Sequence, residues 1–152
     1  MTGELESVIG YSFKDKSLLK EALTHSSCVR AGSSTKDNER LEFLGDAFLD
    51  AIAGEEIYKR LPDATEGKLT KVRAQEVRGK TLSLIGRKLS LGSYLDMSRG
   101  QEQQGGRNMD SILADALEAV IGAVFLDGGY EKAREVTLDL ISEYIAGAIK
   151  GE

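Results

Sequence analysis

Four acidic side chains recur at helical spacing along one segment of the chain. They are Glu39, Glu42, Asp46 and Asp50. On a helix, these acids fall within an arc of about 80°. The opposite side would form an apolar core stripe of Leu41, Leu44, Phe48 and Ile52. No lysine or arginine follows any of them at i+4, where a solvated acidic face commonly carries one. The arc is either such a solvated face or one half of a cation site.

A second pair of acids lies in an apolar segment, ILADALEAVIGAVFL at residues 112–126. Its only charged side chains are Asp115 and Glu118, which a helix places on one face. A helix this apolar is buried nearly all round, where ionised carboxylates are costly unless something compensates them. A buried salt bridge, for example to Arg73, would do so, and so would a metal ion. Gly122, one turn beyond Glu118, leaves room for another helix or a ligand.

The two segments together predict a cluster of oxygen ligands. If the helices pack antiparallel, Glu42 and Asp46 from one converge with Asp115 and Glu118 from the other. All-oxygen ligands favour Mg²⁺ or Mn²⁺ over zinc. A carboxylate cage around such ions suits phosphoryl transfer, because the metal lowers the pKa of a water and holds the attacking and leaving oxygens.

A di-iron carboxylate bundle is the competing interpretation of acids on facing helices. Such bundles carry paired Glu-x-x-His motifs. The single histidine of this chain is His25, and no glutamate stands three residues before it. The sequence therefore argues against the di-iron class.

The composition is that of an ordinary globular domain. The chain has 152 residues, 41% of them hydrophobic and 30% charged, which fits one domain spanning residues 1–152. Its one cysteine cannot form an internal disulfide, and we see no signal peptide and no apolar run of membrane-spanning length. We therefore expect a cytoplasmic protein without a membrane partner. The net charge of −5 argues mildly against nucleic-acid binding unless the acids are gathered around cations.

Helical periodicity covers nearly the whole chain. Helices are predicted over residues 16–26, 39–60, 66–78, 81–89, 111–126 and 131–149. Thr65 is predicted to cap the third of these helices, and Pro62, the only proline, to end the second. Polar segments at residues 29–37 and 100–106 are predicted loops. The pattern predicts an all-α domain.

One nine-residue motif closely resembles the signature of the ribonuclease III family, namely NERLEFLGD at residues 38–46. Companion segments stand in the order expected for that family. They are ALTHS at 22–26, EGKLT at 66–70, SILADALEA at 111–119 and the segment 122–127. The resemblance extends over residues 5–147, which is nearly the entire chain.

The resemblance implies a fold, an activity and partners. The fold would be the all-α ribonuclease III endonuclease domain, with about seven to eight helices, working as a homodimer. The activity would be Mg²⁺-dependent hydrolysis of phosphodiester bonds in double-stranded RNA, with Mn²⁺ able to substitute. Each subunit would cut one strand, leaving 5′-phosphate and 3′-hydroxyl ends with short 3′ overhangs. Ribosomal RNA precursors and other structured RNAs would be the substrates.

The resemblance also assigns catalytic residues. By position, Glu42, Asp46, Asp115 and Glu118 match the family's catalytic carboxylates. The first, third and fourth of these would bind Mg²⁺ directly. Asp46 would complete the metal site by helping to position the water held there.

Three further residues match the family pattern outside the ligand set. Glu39 corresponds to an auxiliary acid, and so does Glu66. Phe43 corresponds to an aromatic side chain that inserts into the partner subunit. On the helix it lies beside the acidic arc, not in the core stripe, which favours a contact outside the domain.

Two features depart from the family pattern. Bacterial members usually carry a C-terminal double-stranded-RNA-binding domain, whereas this chain ends at Glu152 without one. Because NERLEFLGD is retained, we expect a truncated form and weak RNA binding by this chain alone. The segment RNMD at residues 107–110 also lacks some charged residues common before SILAD. The alternative function is a non-catalytic RNA-binding or scaffolding module, against which the four retained carboxylates argue.

Other polar residues receive structural interpretations. His25 is far in sequence from the carboxylates, so we expect it to act as a structural hydrogen-bonding group. Cys28 lacks the partners of a nucleophile and is interpreted as a plain small residue.

Several arginines are candidates for RNA contacts. Residues 100–106 lack the ending of a phosphate-binding loop and are expected to be a mobile connection, with Arg99 or Arg107 touching RNA. Arg73 and Arg78 on the helix predicted over residues 66–78 either contact the RNA backbone or belong to a solvated face.

Overall fold

Eight α-helices build the fold in the computed structural model, which describes residues 2–30, 32, 34–76 and 80–151. They are α1 (Thr2–Ile9), α2 (Lys16–Ala22), α3 (Glu39–Arg60), α4 (Glu66–Glu76), α5 (Lys80–Lys88), α6 (Arg99–Gln103), α7 (Asp110–Gly128) and α8 (Tyr130–Lys150). Three short 3₁₀ helices lie between them, at Ser26–Cys28, Leu91–Tyr94 and Gly106–Asn108. The all-α prediction is thereby confirmed. Within these ranges, no helix is long and apolar enough to cross a membrane.

Helix α7 runs through the middle of the domain. It contacts α2, α3, α5 and α8. From Leu113 to Val124, every residue except Asp115 is buried. A helix enclosed on all sides has no solvated face, which explains why its sequence lacks a polar stripe. This stretch therefore carries Glu118 into the interior and leaves Asp115 half-buried.

Two glycines set the distance between α3 and α7. A Cβ built on Gly45 would stand 1.7 Å from the carbonyl oxygen of Glu118, and one on Gly122 would stand 2.5 Å from that of Leu41. Neither position admits a side chain unless backbone moves, so the helices meet backbone against backbone. The room expected at Gly122 is filled by another helix. This contact brings the acids adjacent to Gly45 on α3 up to those of α7.

Some predicted boundaries are wrong because of a long-range pairing. The helix predicted to reach residue 26 ends at Ala22, and Thr24 forms an isolated bridge with Asp96. There, the N–H of Asp96 donates to Leu23 and the N–H of His25 donates to Asp96. A hydrogen bond to a distant residue leaves no trace in local periodicity. The helix predicted over residues 66–78 ends at residues that the structure does not describe, namely 77–79, which include Arg78.

Residues 100–106 do not form the expected mobile connection. The segment contains most of α6, and the chain after it is held by Arg107. The Arg107 guanidinium donates to the carbonyls of Gly92 and Leu95, both at 2.8 Å. Arg107 therefore has a structural role, and its expected contact with RNA stays a prediction. Arg99 is exposed.

Helix α1 has no counterpart among the predicted helices and is anchored by Glu6. The buried Glu6 carboxylate accepts hydrogen bonds from Lys16 Nζ at 2.8 Å and from the N–H of Phe13. Burial alone would raise the pKa of Glu6. The Lys16 ammonium and the Phe13 N–H outweigh burial and hold that pKa below its usual value of 4.5.

Replacing Glu6 by glutamine is expected to lower the unfolding free energy by about 1.5–3 kcal/mol at pH 7, because charge-assisted hydrogen bonds are lost. A depressed folded pKa contributes stability above the unfolded value of 4.5, and this contribution is lost as pH falls through the folded pKa. The unfolding free energies of the wild type and Glu6→Gln should therefore converge as the pH falls below the folded-state pKa of Glu6. Glu4→Gln, at an exposed position on the same helix, is the control. A difference independent of pH would contradict this account.

Candidate metal centre

Three carboxylates from α3 and α7 meet where these helices touch. One oxygen each of Glu42, Asp115 and Glu118 lies within 4.8 Å of the others. Asp46, one turn after Glu42, shares a hydrogen bond with Glu118. Glu42 shares one with Asp115. The structure therefore brings the four acids into one place, which we call the carboxylate cluster.

Burial dominates the electrostatics of the carboxylate cluster. Glu118 is only 8% exposed, and burial raises its pKa to about 9, with a further rise from the hydrogen bond and charge of Asp46. Burial and then the charge of Asp115 raise the pKa of Glu42 to about 7. Burial raises the pKa of Asp115 as well, against the opposing effects of Glu42 and His25. Without a cation at neutral pH, Glu118 is thus protonated and donates to Asp46.

No lysine or arginine forms an ion pair with the carboxylate cluster within the described residues. The side chains that shift the pKa of Glu118 are Asp46, Asp115 and Glu42, all of them acids. Arg73 was the candidate salt-bridge partner, but its guanidinium lies over Gly54, 3.9 Å from the position of a Cβ there. The salt-bridge interpretation is therefore wrong for the described part of the chain.

The donor set fits a hard divalent cation. It consists only of carboxylate oxygens, held on two helices whose backbones touch. Such ligands suit Mg²⁺ or Mn²⁺, whereas zinc sites favour nitrogen and sulfur. A divalent ion would supply the positive charge that these buried acids otherwise lack.

The loop before α3 is tied down by Asn38, which the sequence interpretation did not single out. Its N–H donates to the carbonyl of Thr24 at 2.9 Å, and its side-chain amide donates to that of Ala22 at 3.2 Å. Asp37 then accepts a hydrogen bond from the N–H of Glu39 at 3.0 Å. These contacts fix where α3 begins and hence where Glu42, one turn later, points. The signal in the sequence was an asparagine, a common N-cap residue, directly before a predicted helix.

The two predicted auxiliary acids lie outside the carboxylate cluster. Glu39 is exposed, and its charge contributes to the raised pKa of Glu42. Glu66 is exposed at the start of α4 and accepts a hydrogen bond from the Thr70 hydroxyl at 3.0 Å. Neither belongs to the set whose oxygens could hold one ion.

Phe43 projects from α3 into solvent, with 78% of its surface exposed. It borders a groove of about 680 Å³, which we call the Phe43 groove. The apolar part of the lining comprises Leu18, Leu41, Leu44 and Leu126. Leu44, expected in the core stripe, is only half-buried and belongs to this groove.

Sequence reasoning missed two features beside the carboxylate cluster. Gly45 permits the helix contact, and its signal was a glycine inside a long helix, which costs stability and so implies a packing reason. The other is the nearness of His25, whose charge lowers the pKa of Asp115 although the two residues are far apart in sequence. The structural hydrogen-bonding role expected of His25 is confirmed, because its Nδ1 accepts a hydrogen bond from the N–H of Ser27 at 3.1 Å.

The chain is similar in sequence to ribonuclease III proteins. Residues 15–145 match the family model described as Ribonuclease-III-like. The chain is 53% identical over 148 residues to Ribonuclease 3 of Caldanaerobacter subterraneus subsp. tengcongensis, an alignment that covers 97% of this chain and 65% of that protein. It is 50% identical over 143 residues to Ribonuclease 3 of Ectopseudomonas mendocina, covering 94% and 60%, respectively.

The fold is also similar to that of a solved nuclease domain. The nuclease domain of ribonuclease III from Campylobacter jejuni matches with a TM-score of 0.88 and 44% identity, over 95% of this chain and 98% of that one. The chain thus spans less than two thirds of the two curated relatives but nearly all of the solved nuclease domain. The family match, the sequence identity and the fold agree, and the chain belongs to the ribonuclease III-like family.

Proposed function

We propose that this chain is the catalytic domain, residues 1–152, of a divalent-metal-dependent endonuclease that hydrolyses phosphodiester bonds in double-stranded RNA. The observation that carries the proposal is the carboxylate cluster, four acids gathered between α3 and α7 with no described lysine or arginine paired to them. Burying such a group is costly unless a cation is bound there. The relatives' names, ribonuclease 3, support this class of reaction.

The acidic side chains would have different roles in the reaction. Glu42, Asp115 and Glu118 would hold Mg²⁺, with Mn²⁺ as a substitute. The ion would lower the pKa of the attacking water and offset the charge developing on the leaving oxygen. Asp46, adjacent to Glu118, would accept a hydrogen bond from that water and orient it toward phosphorus. Glu39 would act as an auxiliary acid at the edge of the cluster.

Hydrolysis breaks the bond between phosphorus and the 3′-oxygen. The water oxygen ends on the 5′-phosphate, and the 3′-oxygen leaves as a hydroxyl. Two copies of the site, one for each strand, would leave short 3′ overhangs. Glu66 would serve as a further auxiliary acid in each copy. The natural substrates would be ribosomal RNA precursors and other structured RNAs.

A homodimer would supply those two copies, with Phe43 of each subunit inserted into the Phe43 groove of the other. A large apolar ring that is 78% exposed beside an apolar groove is unfavourable in an isolated subunit. In the Campylobacter nuclease domain, a region involved in dimer formation has been described as flexible.

Phe43→Ala is expected to shift the dimer toward monomer, with a dissociation constant at least about a hundredfold higher, because a buried aromatic anchor is removed. Sedimentation velocity over a concentration series measures the shift. Tyr58→Ala is the matched control, since Tyr58 lies on the same helix and is 70% exposed. A dimer that survives Phe43→Ala unchanged would refute the proposed role of this residue.

The proposed activity is tested on a long, fully paired RNA duplex. With Mg²⁺ at low salt, we expect cleavage to fragments with 5′-phosphate and 3′-hydroxyl ends, and no cleavage in EDTA. Because the net charge is −5, binding should be weak and decline with salt. If an intact dimer at high concentration does not cut the duplex but binds it, the chain is the non-catalytic module instead.

A further inference from the structure

Asp127, in the last turn of α7, binds a segment near the start of the chain. Its Oδ2 accepts hydrogen bonds from the Tyr11 hydroxyl at 2.6 Å and from the N–H of Lys14 at 2.8 Å. Its Oδ1 accepts one from the N–H of Asp15 at 2.9 Å. Burial of the carboxyl raises its pKa, but these three donors and the charge of Lys14 outweigh burial and hold the pKa of Asp127 below its usual value of 3.8. We call these four residues the Asp127 clamp.

The Asp127 clamp fixes the start of α2. Asp15 is the N-cap residue of α2, and its side chain accepts a hydrogen bond from the N–H of Ser17 at 3.0 Å. Residues 14–17 are all exposed, so burial does not hold this stretch in place. An acid in the last turn of a helix is disfavoured by the helix dipole, and the contacts of Asp127 offset that cost. Gly128 permits the close approach, because a Cβ there would stand 2.6 Å from the Tyr11 hydroxyl.

The two helices that the Asp127 clamp joins both line the Phe43 groove. Leu18, three residues after Asp15, contributes from α2. Leu126, the residue directly before Asp127, contributes from α7 and is 57% exposed. The position of Leu18 relative to Leu126 therefore depends on how the start of α2 is held to the end of α7.

The surface around the Phe43 groove is complementary to a second copy of itself. The exposed ring of Phe43 stands beside an apolar lining. The charged part of the lining contains two acids and two bases, namely Glu21, Glu39, Lys36 and Arg40. Across a twofold axis, each acid of one copy can meet a base of the other. A second copy of this chain is thus the occupant whose shape and charge suit the groove.

We propose that Asp127 is a positioning residue for dimer formation, because its clamp holds Leu18 and Leu126 in the arrangement that receives Phe43 of a second copy. This inference rests on the proposed function, since it concerns the proposed homodimer. A groove held in its binding shape before association lowers the free-energy cost of forming the dimer. Asp127 does not belong to the carboxylate cluster, and contacts within its own chain occupy both of its oxygens.

The test is the dimer dissociation constant, measured by sedimentation velocity over a concentration series on the full chain. Asp127→Ala removes all three hydrogen bonds and is expected to raise the dissociation constant at least about tenfold. Asp127→Asn keeps one accepting oxygen and should fall between Asp127→Ala and the wild type. Asp63→Ala, at an exposed position between α3 and α4, is the matched control. Ile141→Val, in the buried side of α8, controls for a general loss of stability and should dimerise like the wild type.

A double-mutant cycle with Phe43→Ala shows whether Asp127 acts through the groove. If it does, adding Asp127→Ala to Phe43→Ala should change the dissociation constant by less than about threefold, because the two changes affect one contact. A purely structural Asp127 would instead give the same change in both backgrounds.

A wild-type dissociation constant in folded Asp127→Ala would overturn the inference and leave the proposed activity intact, and so would a full effect that persists in Phe43→Ala. If Asp127→Ala does not fold, Asp127→Asn decides, because an unchanged dissociation constant in that variant would contradict the role of the clamp. A wild type that stays monomeric at every concentration would overturn both the inference and the proposed homodimer. Cleavage of the RNA duplex by the wild type is measured separately and tests the proposed activity alone.

Discussion

Glu118→Gln is expected to reduce cleavage of an RNA duplex by at least about a hundred- to a thousandfold, the usual cost of removing one group that stabilises the transition state electrostatically. Glu118 is the most deeply buried member of the carboxylate cluster and is the only one bonded to Asp46. A glutamine amide keeps the shape and can keep the bond to Asp46, but it cannot bind a cation as an anion. Single-turnover kinetics with saturating enzyme isolates this step from RNA binding.

The same variant should not unfold the protein. Burial and Asp46 raise the pKa of Glu118 to about 9, so in EDTA the carboxyl is protonated at neutral pH and resembles glutamine. A folded-state pKa raised above the unfolded value of 4.5 means that stability is lost as pH rises from 4.5 toward 9. In EDTA at pH 8, Glu118→Gln should therefore melt at or above the temperature of the wild type.

The matched control is Glu131→Gln, an exposed glutamate on α8. It should cut RNA at the wild-type rate. Should Glu118→Gln fold, dimerise and retain more than about a tenth of the wild-type rate, the carboxylate cluster would not be the site of the reaction.

Gly45→Ala is the substitution with the second large expected effect. It should lower the unfolding free energy by about 3 kcal/mol, because it overpacks a contact between two backbones. Its Cβ would lie 1.7 Å from the carbonyl oxygen of Glu118, a distance that only separation of α3 and α7 relieves. Moving the helices apart by roughly 1 Å would also separate the ligands and could cost about a hundredfold in rate. Denaturant unfolding and single-turnover kinetics measure the two effects.

Gly147→Ala is the control for helix propensity. Gly147 lies inside α8 with no atom within 4 Å of its Cβ position, so alanine there should raise stability by about 0.5–1 kcal/mol. Opposite signs for the two substitutions would identify packing as the cause. A Gly45→Ala variant as stable as Gly147→Ala would mean that α3 and α7 do not meet as described.

Local patterns predicted α3 and α7 well because buried positions there are occupied by apolar residues at helical spacing. In α7, the apolar run with only two acids indicated both an enclosed helix and an unusual pair of carboxylates. In α3 the acids at helical spacing showed which face they share. The grouping of the four acids could thus be anticipated from their types and spacing.

Features that depend on distant partners could not be anticipated in the same way. Gly45 and Gly122 are far apart in sequence, and only the fold reveals that they face each other. Helix α1 depends on Glu6 finding Lys16 and Phe13. The glycine contact joins distant segments, and the Glu6 contacts join α1 to the segment that follows it. Neither kind of contact changes the hydrophobic periodicity of the sequence.

His25 shows the same limit near the site. Its residue type is plain from the sequence, but only the fold shows that its ring accepts a hydrogen bond from the N–H of Ser27 and lies near Asp115 on α7. The bridge between Thr24 and Asp96 that positions this loop is likewise a contact between distant segments.

The most direct test of the account is a calorimetric titration of Mn²⁺ into wild type and Glu118→Gln at pH 7.5, each in two buffers of different ionisation enthalpy. Because the pKa values of Glu118 and Glu42 are raised to about 9 and about 7, a cation entering the carboxylate cluster must displace protons. We predict saturable binding with proton release by the wild type and loss of that binding in the variant. Equal binding by both proteins, with no proton released, would show that the metal does not lie between α3 and α7.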